Sequence, residues 1–303
     1  MKKIDVSIII VSYNTSDLTI ACIESLENSI KKSSYEIIVV DNDSHDESVT
    51  LIKSLCQKKS FLSLIENPEN AGFAKANNIG VKASHGRYVL FLNSDTVAGP
   101  HTIDAMVDFM DSHPKAGAAT CKLNTPDGSI DYSTHRGFPT PLNAFGYFSG
   151  LAHVFPRSKF VAGYTQGWKD MTQTHTVDVI SGAFMFTRRE AGEAIGWWDE
   201  DYFFNGEDID FCYMLHKKGW EIYYVPQYSI LHYNGMSGGT KKQTAHMTRA
   251  TKETRVRIQD ARFDAMKIFY RKHYYAKYPK LITATILGGI ELKRFITKKR
   301  LGL

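Results

Sequence analysis

Four short apolar segments alternate with amphipathic segments along the first hundred residues. The apolar segments cover residues 6–11, a run of mostly β-branched side chains, and then 36–40, 62–65 and 87–92. Between the first two, apolar side chains recur every fourth residue, as on one face of a helix, at Leu18, Cys22, Leu26 and Ile30. Further helices are predicted around residues 49–56 and 73–83. Strands that alternate with helices predict an α/β fold with a mostly parallel sheet covered by helices on both faces.

Polar residues directly follow three of these predicted strands. They lie at residues 12–16, 41–44 and 93–95. In sheets built this way, ligands bind beyond the carboxyl ends of the strands. The sequence therefore predicts a binding site at the edge where these ends meet.

The rest of the chain has a less regular middle and then a second set of elements. Residues 127–175 are rich in Gly, Pro and aromatic side chains, which indicates loops and short helices beside a cleft, or a packed flap. Beyond them we predict a strand at 177–187, helices at 188–195 and 206–218, and a strand at 221–225. Pro226 is expected to end the last of these, a strand, and a long basic helical region is expected after Gly239.

Charge is distributed unevenly along the chain. Residues 239–303 contain 17 Lys and Arg against 4 Asp and Glu, whereas the remainder contains 20 against 28. A basic tail on an acidic body predicts an anionic partner: phosphate groups, a lipid surface or nucleic acid. A solvated helix that merely carries basic residues is the alternative. The tail contains no recognisable nucleic-acid-binding motif, so no nucleic acid partner is expected.

An apolar stretch at 281–290 lies within this tail. It is too short to span a bilayer, which takes roughly twenty apolar residues. Basic residues flank it, including Lys280, Lys293 and the cluster at 298–300. This pattern is typical of an interfacial anchor on an anionic leaflet. Packing of this stretch on the preceding part of the chain, or contact between two copies in a homodimer, are the open alternatives.

The cysteines and the N-terminus bear on the cellular location. Cys22, Cys56, Cys121 and Cys212 show no paired spacing, which indicates neither a disulfide framework nor a zinc site. The N-terminal apolar run is short and no small-residue cleavage site follows it, so we interpret it as a strand and not as a signal peptide. We expect a cytoplasmic protein, with a peripheral place at the inner face of the cell membrane as an extension.

Three groups of residues could carry chemistry. Asp95 follows a buried strand, where an oxygen ligand could hold a divalent cation; a turn aspartate is the ordinary alternative. Glu207 and Asp208 begin a predicted helix, where one could act as a general base and the ordinary role is capping. His232 could complete the metal site or be a core histidine.

The motifs together resemble a known family. VSIIIVSYNT, VVDNDSHDES, NPENAGFAKANNIGVKASHGRYVLFLNSDT and ISGAFMFTRR…GWWDEDYFFNGEDIDFCYML…GW occur in the order found in family-two inverting glycosyltransferases of the GT-A fold. The resemblance extends over residues 4–232 and is strongest to bacterial rhamnosyltransferases of cell-surface polysaccharide assembly. The segment 269–274 is also similar to one that recurs in those enzymes.

The resemblance implies positions for the donor. The nucleotide base and ribose would be held by Val11, Tyr13 and Asp41. A segment over the nucleotide would include Gly72, Phe73 and Asn77, with Asn78 as a further candidate. The turn beside the donor sugar would be formed by Gly182 and Ala183.

The resemblance also implies positions for the metal, the acceptor and the base. Asn93, Ser94 and Asp95 stand where the family has its D-x-D-like metal motif, and the first acid is Asn here. His232 would be the additional metal ligand. Asp208 would be the catalytic base and Glu207 an accessory carboxylate. The acceptor would be bordered by Trp198 and Asp199.

These implications define the expected enzyme. We predict a catalytic GT-A domain over 1–238, with a nucleotide-sugar half at about 1–125 and an acceptor half at about 126–238, followed by a basic helical extension over 239–303. The expected cofactor is manganese or magnesium. The expected partners are a nucleotide-diphosphate sugar, first dTDP-rhamnose, and a glycan or polyprenyl-diphosphate-linked glycan.

Other readings of the sequence remain open. The donor could be another UDP-sugar, and the chain could be a non-catalytic nucleotide-sugar or nucleic-acid binder. A nucleotidyltransferase is disfavoured, because residues 12–15 lack the Gly- and Lys-rich loop that would hold a triphosphate.

Overall fold

A computed structural model describes residues 3–234 and 252–301 of the chain. The strands of this described part are β1 Val6–Ser12, β2 Tyr35–Asp41, β3 Leu62–Glu66, β4 Tyr88–Asn93, β5 Thr96–Ala98, β6 Ala116–Asn124, β7 His175–Thr176, β8 Phe184–Arg188 and β9 Glu221–His232. Its helices are α1 Ser16–Ser29, α2 Ser48–Cys56, α3 Phe73–Lys82, α4 Thr102–Ser112, α5 Pro141–Phe148, α6 Leu151–Val154, α7 Arg189–Ile195, α8 Glu207–Lys217, α9 Lys252–His273 and α10 Lys280–Leu301. Single 3₁₀ turns lie at Tyr132–Thr134 and Tyr275–Lys277.

These strands form one mixed sheet in the order β3-β2-β1-β4-β8-β6-β9-β5, and β7 pairs with β9. The predicted parallel arrangement holds for β1 to β4. Strand β8 runs antiparallel to both β4 and β6, and β6 runs parallel to β9. The carboxyl ends of β1, β2, β4, β6 and β9 therefore lie at the same edge of the sheet, where β8 begins.

The core has one apolar layer on each face of the sheet. Alternate side chains of β1 point to opposite faces: Ile8 and Ile10 pack with α1, α2 and α4, and Ile9 packs with α3 and α8. All three isoleucine side chains are fully buried. This confirms the predicted α/β fold with helices on both faces.

Two predicted strands have different bounds in the structure. Only Phe184–Arg188 of the predicted strand at 177–187 is a strand, because residues 177–183 cross from β9 towards β8. Strand β9 continues beyond Pro226 to His232. The register between β6 and β9 shifts from Val225 to Ser229, so that Pro226 lies in a bulge that requires no ladder hydrogen bond from it. Elements β5, α4 and β6 were not predicted.

The C-terminal part is helical, as predicted. Helix α9 packs on the sheet domain through a cluster that includes Tyr202, Phe269, Tyr270 and Tyr274. Helix α10 returns along α9, with Arg294 bonded to Asp260 at 2.6 Å. The predicted helical region at 239–251, with Met247, lies outside the described residues. None of the described helices is both long and apolar enough to cross a membrane.

Candidate active site at the carboxyl edge of the sheet

The sheet topology brings most of the sequence-predicted site residues to one edge. Ser12, Asp41 and Asn93 end β1, β2 and β4, and His232 ends β9. The backbone N–H of Asn93 donates to the carbonyl oxygen of Ala183 at 3.1 Å, which places the start of β8 beside them. The carboxyl ends of β1, β2, β4 and β9 and the start of β8 thus supply the polar groups of this edge.

Asp41 offers a free acceptor at this edge. Its side chain is buried, and its Oδ1 accepts a hydrogen bond from the backbone N–H of Ser44 at 2.9 Å. Its Oδ2 is buried with no hydrogen-bond partner among the described residues. A buried carboxylate oxygen without a donor is costly unless a ligand supplies one, and a ribose hydroxyl is such a donor. Val11 and Tyr13 are half-buried nearby in sequence, at the end of β1.

Asn42 organises the loop that leads into α3. Its Oδ1 accepts from the Ala71 backbone N–H at 3.0 Å and from the Asn67 side chain at 3.0 Å. Its Nδ2 donates to Oδ1 of Asn70 at 3.0 Å. These bonds fix the segment that carries Gly72, although sequence analysis gave Asn42 no role.

Gly72 is required by its backbone geometry. It has φ +82°, and a Cβ there would lie 2.6 Å from the carbonyl oxygen of Phe203. The next residue, Phe73, donates its backbone N–H to the same oxygen at 2.9 Å. The segment before α8 is therefore held against the start of α3.

The two asparagines of α3 make internal contacts. Asn77 is buried and donates to the carbonyl oxygen of Phe73 at 2.9 Å. Asn78 donates to the carbonyl oxygen of Trp198 at 2.8 Å and to Glu200 at 2.9 Å. Both side chains hold the start of α3 and the 198–200 turn in place, so any donor contact would be additional to these structural bonds.

Gly182 lies against the ring of Phe73, which would be 3.1 Å from a Cβ at that position. Ala183, next to it, is buried. The ring of Trp198 stands edge-on to that of Phe73, with their centroids 5.6 Å apart. The 182–183 turn is thus adjacent to the segment predicted to cover the nucleotide.

The two predicted acceptor residues do not present free surfaces to a ligand. Trp198 is 2% exposed and packs in the core on Phe91 and Phe211, with ring centroids 4.8 and 4.6 Å away. Asp199 pairs with Lys272 of α9. A single sequence does not show whether these positions are buried in the core or border an acceptor, because the residue types are the same in both cases. The acceptor role of Trp198 and Asp199 stays a prediction.

Asp95 and His232 meet as predicted. His232 Nε2 lies 3.3 Å from Asp95 Oδ1, and both side chains are buried. His232 Nδ1 lies 3.0 Å from Oδ2 of Asp131, a residue that sequence analysis did not identify. The Asn234 side chain also donates to Asp131, at 2.7 Å.

This arrangement fits a divalent cation. Metal-binding histidines commonly bond a carboxylate through the nitrogen that faces away from the metal, as His232 does with Asp131. The other nitrogen, Nε2, is buried with no hydrogen-bond partner. Neighbouring ligands around an octahedral Mg²⁺ are about 3 Å apart, close to the separation from Asp95. Among the described residues no third His, Cys, Asp or Glu completes a preformed site, so water and phosphate oxygens would supply the other ligands.

Charges in this cluster compensate one another. Burial opposes a positive charge on His232, but Asp95 and Asp131 outweigh it and raise the pKa of His232 to about 9. Burial likewise opposes ionisation of Asp131, but the hydrogen bond with His232 prevails and lowers the pKa of Asp131. A cation bound between Asp95 and His232 would replace the imidazolium proton as the positive charge.

The short sequence around Asn93 contributes in different ways. Ser94 Oγ lies 3.0 Å from Thr15 Oγ1, which ties the turn after β4 to the start of α1. The carbonyl oxygen of Asn93 accepts from the Thr96 hydroxyl at 2.8 Å. The turn that presents Asp95 is therefore held on both sides.

Asp208 lies at the start of α8 and pairs with Arg136. Its Oδ2 accepts from Arg136 at 2.6 Å, and its side chain is 13% exposed. Arg136 also donates to the carbonyl oxygen of Ser133 at 2.7 Å. Burial disfavours the guanidinium charge, but Asp208 outweighs this and raises the pKa of Arg136. Arg136, which sequence analysis missed, therefore holds the Asp208 carboxyl group in place.

Glu207 differs sharply from its neighbour Asp208. It is buried, and its Oε2 has no hydrogen-bond partner. Burial, and then the adjacent charge of Asp208, raise the pKa of Glu207 to about 8. Glu207 therefore holds a proton more readily than an ordinary glutamate side chain does.

One short segment joins the two clusters. Asp131 contacts His232 and, five residues later, Arg136 contacts Asp208. Five residues span at most about 17 Å even when fully extended, and the 3₁₀ turn Tyr132–Thr134 shortens this path. The short path from Asp131 to Arg136 therefore limits how far apart the predicted metal ligands and the predicted base can lie.

Comparison with known proteins is consistent with this geometry. The model of the family described as "Glycosyl transferase family 2" matches residues 7–191. N-acetylglucosaminyl-diphospho-decaprenol L-rhamnosyltransferase of Mycobacterium tuberculosis is 28% identical over 235 residues, which are 74% of each chain. Poly-beta-1,6-N-acetyl-D-glucosamine synthase of Staphylococcus aureus is 28% identical over 221 residues, 73% of this chain and 48% of that protein.

Solved structures share the fold at low sequence identity. The crystal structure of GalNAc-T7 with UDP, GalNAc and Mn2+ has a TM-score of 0.56 and 17% identity, covering 92% of this chain and 52% of the other. The structure of S. aureus TarS 1-349 with UDP-GlcNAc has a TM-score of 0.54 and 17% identity, covering 97% and 73%. Both likenesses support the predicted GT-A fold.

Proposed function

Because the chain belongs to glycosyl transferase family 2, we propose that it transfers a sugar from a nucleotide-diphosphate donor to a lipid-linked glycan, with inversion at the anomeric carbon. The observation that carries this proposal is the segment 131–136. It contacts a buried His–Asp pair that would suit a cation at one end, and the Asp208 carboxyl group at the other. Such a transfer requires a cation at the departing diphosphate and a general base at the acceptor hydroxyl.

The donor nucleotide would bind at the ends of β1 and β2. The unpartnered Oδ2 of Asp41 would accept a ribose hydroxyl, and Val11 and Tyr13 would contact the base. Gly72 and Phe73 would cover the nucleotide from the start of α3, where the close approach to Phe203 keeps the backbone tight.

The diphosphate would lie at the turn that includes Asn93 and Ser94. Asp95 and His232 would hold Mn²⁺ or Mg²⁺ there, with Asp131 orienting the imidazole. A bound divalent cation offsets phosphate charge and eases departure of the diphosphate. The Mn²⁺ and UDP in the GalNAc-T7 structure support this assignment on the same fold.

Asp208 would act as the general base. It takes the proton of an acceptor hydroxyl as that oxygen bonds the anomeric carbon and the bond to the donor diphosphate breaks. Arg136 would orient this carboxylate, and Glu207, in its protonated form, would donate a hydrogen bond beside it. One displacement inverts the configuration and needs no covalent intermediate on the protein.

The names of similar proteins support particular donor and acceptor substrates. The mycobacterial relative is named for rhamnose transfer to a diphospho-decaprenol acceptor, which supports dTDP-rhamnose as the first donor and a polyprenyl-diphosphate glycan as acceptor. The TarS structure with UDP-GlcNAc supports a UDP-sugar as the second candidate. Gly182 and Ala183 would border the donor sugar, because their turn adjoins Phe73.

A ligand screen followed by a transfer assay tests the proposal. We expect dTDP- or UDP-sugars to raise the melting temperature of the full chain in the presence of Mn²⁺, and a chelator to remove the effect. The stabilising sugar should then be transferred to a synthetic GlcNAc-diphospho-lipid. Stabilisation without transfer or hydrolysis would favour a non-catalytic binder, and stabilisation by no nucleotide sugar would contradict the proposal.

A further inference from the structure

Helix α10 carries an apolar stripe on its outer face. Leu281 is 79% exposed, Leu292 60% and Phe295 66%, and Ile296 is also exposed. Spacings of three, four and eleven residues place these side chains on one side of a helix. This stripe is more apolar than an ordinary solvated helix face.

The stripe cannot turn inwards, because the rest of α10 is fixed on α9. Ile286 and Leu287 pack against the cluster that joins α9 to the sheet domain. Glu291 bonds Lys267 at 2.7 Å, and Arg294 bonds Asp260 at 2.6 Å. These contacts occupy the side of the helix that faces α9 and leave the stripe outside.

A second group of exposed apolar side chains lies beside α10. Leu142, Phe145 and Phe148 of α5 are 53%, 62% and 49% exposed, and Phe155 and Phe160 follow after α6. The Lys293 ammonium of α10 lies 3.2 Å from the ring centre of Phe148. We call the α10 stripe and the exposed apolar residues of 142–160 together the apolar surface. Large exposed apolar patches mark interaction sites, and the Lys293–Phe148 contact places the two groups next to each other.

The charges around the apolar surface are positive. Lys299 and Arg300 are exposed at the end of α10, and Arg157 and Lys159 lie between Phe155 and Phe160. The sequence from 137 to 160 contains no Asp or Glu. The acidic residue of α10, Glu291, is bonded to Lys267.

We propose that the apolar surface binds an anionic lipid bilayer, with α10 lying in the interface and the 142–160 aromatics inserted beside it. Apolar side chains with a basic rim are the pattern of interfacial helices. Each basic side chain near an anionic leaflet strengthens binding about fivefold. A second copy of this chain fits less well, because two such surfaces would bring like charges together.

Resting on the proposed function, this surface would also present the acceptor. Arg136, which bonds Asp208, lies five residues before Pro141, where α5 begins. A lipid-linked glycan held in the same bilayer would therefore emerge close to the general base. The segment between the two clusters of the active site leads directly into the membrane-binding elements.

Vesicle flotation of the full chain tests the inference. We expect binding to vesicles that contain phosphatidylglycerol, and little binding to pure phosphatidylcholine. The double variant Lys299→Gln/Arg300→Gln should bind about thirtyfold less tightly, because two charges are lost. Phe295→Ser should weaken binding about tenfold through lost apolar burial.

Matched variants and a second readout separate the alternatives. Lys58→Gln/Lys82→Gln removes two exposed charges elsewhere, and Tyr228→Ser removes another exposed aromatic ring; both should bind as the unchanged protein does. Equal loss in these controls, equal binding to neutral vesicles, or a change from dimer to monomer in the surface variants would overturn the inference. Donor-sugar hydrolysis without lipid reports separately on the proposed function and should be unchanged in every variant.

Discussion

At the scale of single residues, the two adjacent carboxyl groups at the start of α8 have opposite environments. Asp208 is partly exposed and faces a guanidinium, whereas Glu207 is buried without a donor. Neighbouring acids whose environments separate their protonation states can take separate roles in one reaction. In the proposed mechanism Asp208 would therefore be the base, and Glu207 would be a hydrogen-bond donor beside it.

Asp208→Asn should lower the transfer rate by about two to four orders of magnitude, the usual contribution of a positioned base. The amide is nearly the same size, so donor binding should persist. Steady-state transfer and donor titration measure the two effects. Asp201→Asn, on the same loop with a side chain 68% exposed, is the matched control and should stay near the wild-type rate. A wild-type rate in Asp208→Asn would remove this residue from the role.

Glu207 should make the protein less stable as pH rises. Its pKa in the folded protein, about 8, is above its ordinary value of 4.5, so the folded state retains a proton that the unfolded state loses. The stability associated with this proton is full below about pH 4.5 and is lost as pH approaches 8. A glutamine side chain cannot ionise, so the variant Glu207→Gln should not lose this stability as pH rises.

Melting temperatures across that pH range measure the difference. From the acidic to the alkaline end of the range, the melting temperature of Glu207→Gln should rise relative to that of wild type by roughly 2 °C or more. Glu200→Gln, which changes a carboxyl whose partner is the Asn78 side chain, should follow the wild-type curve. Parallel curves for Glu207→Gln and wild type would contradict a buried neutral Glu207.

Asp131→Asn should weaken Mn²⁺ binding about 10- to 100-fold, because the carboxylate orients His232 and increases its basicity. Calorimetric titration of Mn²⁺ with UDP present measures the affinity. Asp127→Asn, an exposed residue that caps the preceding turn, should leave the affinity unchanged. Equal affinities for Asp131→Asn and wild type would place the cation elsewhere.

At the scale of elements, local patterns predicted what local interactions determine. β1 to β4 and α1 to α3 were found because strand and helix periodicities alternate clearly there. Strand β9 was cut short because Pro226 is normally a strand breaker, and only the long-range register with β6 reveals the bulge that accommodates it. Asp131 and Arg136 were missed for the same reason: their partners lie 101 and 72 residues away.

Helix α9 should stabilise the loop that leads to the active site. Phe269 is buried between Tyr213 and Tyr274, and His273 bonds Asp210 at 2.5 Å. Phe269→Ala should lower the free energy of unfolding by about 3 kcal/mol, through lost burial and a cavity.

Thermal unfolding measures this change. Phe295→Ala removes the same side chain from a site that is 66% exposed, so it should change stability by less than about 0.5 kcal/mol. Equal effects of the two substitutions would show that α9 does not pack on the domain as described. A lower transfer rate in Phe269→Ala below its melting temperature would link the helix to the position of Asp208.

At the scale of the whole molecule, the sheet edge and the apolar surface would bind different partners, the donor and the membrane that holds the acceptor. Strand ends gather the groups that we propose to bind the donor and the cation, as expected for parallel α/β sheets. The region from 131 to 160 connects this edge to the basic, apolar face. A water-soluble donor and a membrane-anchored acceptor would thus approach from different sides of one site.

This division predicts that salt affects the enzyme differently with different acceptors. With a polyprenyl-diphosphate acceptor in anionic vesicles, raising ionic strength should slow transfer, because screening weakens attraction to the leaflet. With a short, water-soluble acceptor, the same salt should change the rate little. Lys299→Gln/Arg300→Gln should reduce the vesicle rate about tenfold or more and leave the soluble rate intact. A salt effect of equal size on both acceptors would place its origin in the active site, and the tail would then have no part in delivering the acceptor.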